Sequence, residues 1–386
     1  MRQQTAGDCL PSDWERAVLV GRLWREDVGG PAVVVVRGGE IIDVTRAFPT
    51  VADLLDAQNT AALAIQASGE SMGPVQPFID KALASARQAL LAPCDLQAIK
   101  ACGVTFAVSL LERIIEEQAG GKAEGAADIR ASITQLIGTD LSQLRPGSEG
   151  ARRLKEALQS RNAWSQYMEV GLGPDAEVFS KSQPMSSVGF GADVGLAPES
   201  HWNNPEPEIV LAVNSRGEAV GATLGNDVNL RDIEGRSALL LGKAKDNNGS
   251  CSIGPFIRLF DPHFDMDAVR CAEVSLCIEG GDDGFVLEGQ SRMSEISRDP
   301  LDLVNQVWGK HHQYPDGFML FLGTMFSPIQ DRDAPGAGFT HHLGDRVTIS
   351  APRLGALINH VQLSTAIPAW AFGVRALYRH LAKRLA

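Results

Sequence analysis

Apolar residues near the N-terminus fall into two β-branched runs, residues 17–23 and 32–37, which predict strands. Gly38-Gly39 joins the second run to Ile41, Ile42 and Val44, the pattern of a hairpin. Thr50 is placed to cap a helix opening at Val51, and a second helical pattern covers 77–91. A strand over 96–102 and a helix over 105–118 come next. Val108, Leu111 and Ile115 repeat at helical spacing and mark the buried side of that helix. Ser109 and Glu112 are three apart, so they share one face and can point into the same cavity. Residues 119–127 are rich in Gly and Ala and read as a loop. Helices are predicted over 127–137 and 148–168, the second strongly charged and exposed.

From residue 177 the texture changes to short apolar runs separated by turn residues. Strands are predicted over 272–278, 285–287, 318–322, 346–350 and 356–361. Asp299 can cap a helix over 300–313, and the chain closes on a helix over 368–384 that tolerates Pro368 in its first turn. Residues 1–14 read as a loose leader. Many strands at short spacing predict a closed or folded-over β core in an α+β chain.

Composition narrows the partners. A formal charge of −12 argues against a nucleic-acid footprint and against an anionic membrane surface. The six cysteines form no CxxC pair and fit neither a zinc site nor a disulfide scaffold, so reduced, mostly buried thiols are expected. The N-terminus lacks the apolar segment of a signal peptide, and no apolar run is long enough to span a bilayer. A cytoplasmic protein is the expectation. A chain of 386 residues exceeds the usual single-core size, so more than one domain is expected.

Residues 203–256 concentrate the chemistry. Glu206 and Glu208 are two apart at the head of a strand-like run, so they face the same side. Asp227 follows after a turn at Ser215-Arg216-Gly217, a spacing that can return it beside the other two. Three carboxylates with room for water suit Mg²⁺ or Mn²⁺; a solvated acidic edge strand has the same spacing. Lys243 lies in a polar loop after Gly242, either as a proton-moving or anion-holding group or as a surface lysine. Arg231 and Asp232 can form an ion pair. His311-His312 and His341-His342 suit solvated or substrate-lining roles better than chelation, because neighbours on a helix point about 100° apart. Arg298 belongs to a cap-and-loop segment, from which it could also reach a substrate carboxylate.

The ordered set Glu-x-Glu, Asn-Asp-Val-x-x-Arg-Asp, Gly-Lys-x-x-Asp and Gly-Pro-Phe resembles the fumarylacetoacetate hydrolase superfamily. Leu322-Gly323-Thr324 and Leu343-Gly344-Asp345-Arg346-Val347 are similar to its late turns, and Phe179-Ser180-Lys181 to its lead-in. The likeness spans roughly 95–362. It implies a mixed β-roll at residues 95–362, with a small α+β domain at 1–94 and a C-terminal helix at 363–386. It also implies Mg²⁺ or Mn²⁺ held by Glu206, Glu208 and Asp227, an active-site lysine at Lys243, and Thr324 in contact with substrate. Arg231 and Ser187 are further substrate-binding candidates.

Where many members carry His and Glu three apart on a lid helix, this chain has Ser109 and Glu112. A serine hydroxyl is too weakly acidic to serve unaided as a base, which turns the expectation from hydrolysis to dehydration. The branch it resembles dehydrates 2-keto-3-deoxy sugar acids. The implied reaction converts 2-keto-3-deoxy-D-xylonate to 2,5-dioxopentanoate, with Lys243, Glu112 and Ser109 moving the protons. A metal-dependent hydrolase, decarboxylase or tautomerase of another 2-keto acid is the alternative, and a non-catalytic binding subunit a third reading. The resemblance implies a homodimer or homotetramer.

Overall fold

The computed structural model describes residues 6–84, 89–120, 144–160, 164–326, 328 and 330–386. The helix expected at 127–137, and most of the loop before it, lie outside these. Among the described residues the strands are β1 Leu19–Arg25, β2 Gly30–Arg37, β3 Glu40–Asp43, β4 Glu70–Pro74, β5 Leu90–Leu91, β6 Ala98–Gly103, β7 Glu177–Ser182, β8 Asp193–Leu196 and β9 Asn203–Asn204. The second half adds β10 Pro207–Val213, β11 Ala219–Asp227, β12 Asn229–Leu230, β13 Cys251–Leu259, β14 Glu273–Glu279, β15 Val286–Arg292, β16 Phe318–Phe321, β17 Arg346–Ala351 and β18 Gly355–Leu363.

One large sheet runs in the order β4-β3-β2-β1-β13-β11-β10-β16-β6-β7, with β5 paired to β1; a second has the order β15-β14-β17-β18-β8. All pairings are antiparallel except β16 with β6 and β18 with β8. The large sheet crosses the boundary expected near residue 94 without a break, because β1 pairs with β13.

The reason lies in β10. Its run Pro-Glu-Ile-Val-Leu-Ala-Val is buried at every position. Such a strand needs cover on both faces. Ile209, Leu211 and Val213 pack into a core shared with Leu276 and Ile278 of β14 and Ile349 of β17 in the second sheet. Val210 and Ala212 point the other way, into a core with Val33, Val35, Met319 and the Val51–Asp56 helix. In contrast, β14 alternates buried with more exposed positions, as a strand covered on one face should.

Several local expectations are corrected. Residues 1–5 of the expected leader lie outside the described residues, and its remainder is not loose, since Cys9 and Leu10 are buried and Asp13 pairs with Arg258. The charged helix divides into Glu149–Gln159 and Gln166–Leu172. The Asp299-capped helix stops at Val307, and the last helix begins at Val374 rather than 368. That helix docks on β2 through a His380 Nε2 to Pro31 carbonyl contact of 3.1 Å. Among the described residues, no helix is long and apolar enough to cross a membrane.

Candidate active site

The hairpin of β10 and β11 assembles the centre. Glu208 lies opposite Gly225, and the Asp227 amide donates to the Glu206 carbonyl at 3.1 Å. Carboxylate oxygens of Glu206, Glu208 and Asp227 thereby lie within 4.8 Å of one another, all three residues buried. The solvated edge strand is excluded by this burial. A Glu208 oxygen accepts from the Gly323 amide at 2.6 Å, tying the centre to the turn after β16.

Three cations face the acids. Lys245 Nζ lies 2.6 Å from Glu206 and 3.2 Å from Asp227. Lys181 Nζ lies 2.8 Å from the other Asp227 oxygen and also donates to the Val228 and Lys245 carbonyls. Arg113 comes from the Ala107–Gln118 helix, with one nitrogen 2.5 Å from Glu206 and another 2.6 Å from Glu234. The enclosed cavity is small, about 30 Å³, and Ser109, Glu112, Glu177 and Thr324 also line it.

Lys243 is not among its walls. That side chain is 51% exposed and pairs with Glu199 at 2.8 Å on the surface. Lys243 and Lys245 sit on one short helix, Leu241–Lys245. Positions two apart on a helix point about 200° away from each other, so only one can face the acids. The structure puts Lys245 there.

The other candidates divide. Glu112 lies 3.7 Å from Arg231, whose guanidinium sits 4.2 Å from the Trp202 ring centre and donates to the Pro328 carbonyl. Asp232 accepts from Ser200 and the His201 amide instead of pairing with Arg231. The Ser109 hydroxyl donates to the Phe106 carbonyl. Ser187 lines a separate cavity. Arg298 donates to the carbonyls of Val170, Gly173, Pro174 and Asp175, which makes it a helix-end clamp. His341 is buried against Asp345 at 3.0 Å and is neither solvated nor in the acid cavity.

Charge is unbalanced here. Among the described residues, five carboxylates (Glu177, Glu206, Glu208, Asp227 and Glu234) face three cations, an excess of two acids. Glu112 and Arg231 offset each other. The consequence appears in the titration. Burial pushes the Glu208 carboxyl well above the ordinary range, with help from Asp227 and Glu206. Burial, then Glu234, pushes Glu177 up to about 7. Burial also pushes Asp227 upward, but Lys181 and Lys245 outweigh it and hold that group low. Lys245 is disfavoured by burial yet held charged by Asp227 and Glu206. Three convergent oxygen donors, with more acids than cations among the described residues around them, fit a divalent cation.

Glu177, Lys245, Lys181, Arg113 and Glu234 were not singled out as site residues by sequence. For Lys181 and Lys245, position within the Phe-Ser-Lys and Gly-Lys-x-Lys stretches was the available signal. Glu177 reaches the cavity because β7 pairs with β6 and places it opposite Gly103. Its carboxylate lies 2.1 Å from where a Cβ on Gly103 would stand, so a larger residue there would displace the Glu177 carboxylate.

No protein-family model matches the chain. A probable 2-keto-3-deoxyxylonate dehydratase of Haloferax volcanii is 34% identical over 195 residues, 50% of this chain and 63% of that protein. The structure superposes on a solved 2-keto-3-deoxy-D-arabinonate dehydratase complexed with magnesium and 2,5-dioxopentanoate, with a TM-score of 0.61 and 19% identity, covering 90% of this chain and 99% of that one. In sequence the chain is similar to the Haloferax volcanii protein over half its own length, and in fold to proteins that include a fumarylacetoacetate hydrolase. Its mixed α/β fold is the one these proteins share. The fumarylacetoacetate hydrolase, from Exiguobacterium antarcticum, superposes at a TM-score of 0.52 and 14% identity, over 90% and 100% of the two chains. A second curated relative, a 2-dehydro-3-deoxy-D-arabinonate dehydratase of Saccharolobus solfataricus, is 28% identical over 186 residues, 48% of this chain and 58% of that protein. The matched segments span less than two thirds of both curated relatives.

Proposed function

We propose that the protein is a divalent-metal-dependent dehydratase of a 2-keto-3-deoxypentonate, forming 2,5-dioxopentanoate from 2-keto-3-deoxy-D-xylonate. The observation that carries this reading is the buried convergence of Glu206, Glu208 and Asp227, with Glu177 poised near neutral pH in the wall of the same cavity. The dehydratases among the relatives support the substrate class.

Glu206, Glu208 and Asp227 would hold Mg²⁺ or Mn²⁺. When bound, the ion supplies Lewis-acid stabilisation of negative charge on the carboxylate and keto oxygens of a 2-keto acid. The chain's own residues move the protons. Glu177, titrating near 7, takes a proton from C3 and returns it to the departing C4 hydroxyl, so that one water leaves. The resulting enone tautomerises through C5 to the aldehyde. Lys245 stays charged and fixes Glu206 and Asp227 while offering a positive wall to the substrate carboxylate. Glu112, Ser109 and Thr324 line the same space and position the substrate hydroxyls. Arg113 fills the room beside Glu206, so admission of a five-carbon acid requires that side chain to swing aside. Without a histidine at position 109, activation of water for C–C cleavage lacks its base.

The deciding measurement is aldehyde formation from 2-keto-3-deoxypentonates, with Mg²⁺ and with chelator. Metal-dependent release of 2,5-dioxopentanoate is the expected outcome. Turnover of fumarylpyruvate or oxaloacetate in its place would make the protein a hydrolase or decarboxylase.

A further inference from the structure

A second cavity, about 400 Å³, lies apart from the acid cavity and shares no wall residue with it. Aromatic and aliphatic side chains dominate its walls: Trp24, Trp370, Phe372, Leu91, Val188 and Ile367. Trp24 and Phe372 meet edge to face with ring centres 5.3 Å apart, which fixes one wall. Trp370 stands at the mouth, 47% exposed.

Arg22 lies at the inner end and is only 5% exposed. One of its terminal nitrogens donates to the Cys94 carbonyl at 2.5 Å and, more weakly, to the Ala92 carbonyl at 3.4 Å. The other reaches only the Met185 thioether, at 3.6 Å. Among the described residues, no carboxylate lies within 4.0 Å of this guanidinium. Its nearest influence on an acid is on Asp95, which is already engaged by the amides of Val51, Ala52 and Leu96. A buried guanidinium with one arm on a sulfur is a strong, unspent donor, suited to a carboxylate.

We propose that this cavity binds a small monocarboxylate with an aromatic or apolar body. The carboxylate meets the free arm of Arg22, and the body lies between Trp24 and Trp370. Glu26 and Asp193, also in the wall, disfavour a dianion. The hydroxylated sugar acids proposed for the acid cavity suit this site poorly, since apolar side chains form most of its wall. The two cavities therefore select different ligands.

Calorimetric titration of the Mg²⁺-loaded protein with 3-phenylpropionate tests the proposal. One saturable site per chain is expected, unchanged when 2,5-dioxopentanoate is present. The neutral analogue 3-phenylpropionamide should bind at least about tenfold more weakly, the loss of a charge-assisted hydrogen bond. Arg22→Met should weaken 3-phenylpropionate by a similar factor. That variant also loses the tie to Ala92 and Cys94 and can fail to fold, so Trp370→Ala, at an exposed position, provides the second test. It should weaken binding by about fivefold or more through lost stacking. Absence of saturation up to about 10 mM, a range that captures even millimolar affinity, would overturn the proposal. Equal binding of acid and amide, or competition by 2,5-dioxopentanoate, would do the same. So would a sedimentation result in which a second copy of the chain covers Trp370 and excludes the ligand.

Discussion

Two clusters of buried charge in this molecule use the same residue types to opposite effect. Near the N-terminal strands, Arg25 reaches Asp43 at 2.8 Å, Glu70 at 2.6 Å and Asp27 at 2.5 Å, and Arg384 closes on Asp43 from the last helix. Burial would raise the Asp43 carboxyl, but Thr45, Arg25 and Arg384 outweigh it and hold the group low. The buried acid of that cluster, Asp43, has two arginines on it, and the other two acids, Asp27 and Glu70, are exposed to water. In the acid cavity Glu208 and Glu177 have no cation within 4.0 Å among the described residues, and both carboxyls are displaced upward. Burial alone does not mark a site. A buried imbalance of charge does, because the fold tolerates its cost only where a ligand or a proton relieves it.

The contrast can be broken at several points. Asp227→Asn removes one proposed metal ligand and leaves Lys181 and Lys245 facing a neutral amide. Dehydration should fall at least about 10³-fold, the upper range for losing one preorganised stabilising group, and Mg²⁺ heats should vanish in calorimetry. Glu177→Gln should lower kcat by about 10²-fold or more while Mg²⁺ still binds. In the wild type, activity should rise as pH passes through about 7, where Glu177 becomes a base; that limb should be missing from the variant's pH profile.

Asp43→Asn, in the N-terminal cluster, should cost about 3–5 kcal/mol of stability in denaturant titrations and leave kcat per folded molecule unchanged. The two clusters should also answer pH in opposite directions. Asp43, held low, stabilises above its unfolded value, and that contribution is lost as pH falls through its folded value. Glu177, raised from 4.5 to about 7, costs the metal-free fold stability as pH rises across that interval. Mg²⁺ should therefore raise the melting temperature more at pH 8 than at pH 6, its total stabilisation being about 2.7 kcal/mol wherever it stands at a hundredfold excess over Kd. The smallest effect should come from Lys243→Met, within about 0.5 kcal/mol in stability and with kcat unchanged, whereas Lys245→Met should abolish metal-dependent turnover.

How much was legible in the sequence follows the range of each interaction. The acids meet through one hairpin; their spacing of two and nineteen residues allowed this and a solvated edge strand alike, and the order of the motifs around them favoured the meeting. The Thr50 and Asp299 caps are local and were read correctly. The choice between Lys243 and Lys245 depended on a five-residue helix that no apolar period announces. Glu177 enters through the pairing of β6 with β7, across a segment more than seventy residues long, and Arg113 through the docking of a helix. Such juxtapositions are set by sheet order, which local patterns do not carry. The same limit explains residues 6–14, where Asp13 finds Arg258 and the Cys9 backbone packs against Gly355, both in the second half of the chain.

The hydrogen bond from the Gly323 amide to Glu208 has a consequence for how the molecule is made. It joins positions 115 residues apart, and β10 takes β16 as its neighbour over the same interval. At 5–20 residues per second, a ribosome takes roughly 6–23 s to cover that distance. Through that time the nascent hairpin presents its three carboxylates without the turn that closes over them. The acid cavity is a late product of synthesis, so a chain stalled before residue 323 would carry the acids without their closing turn.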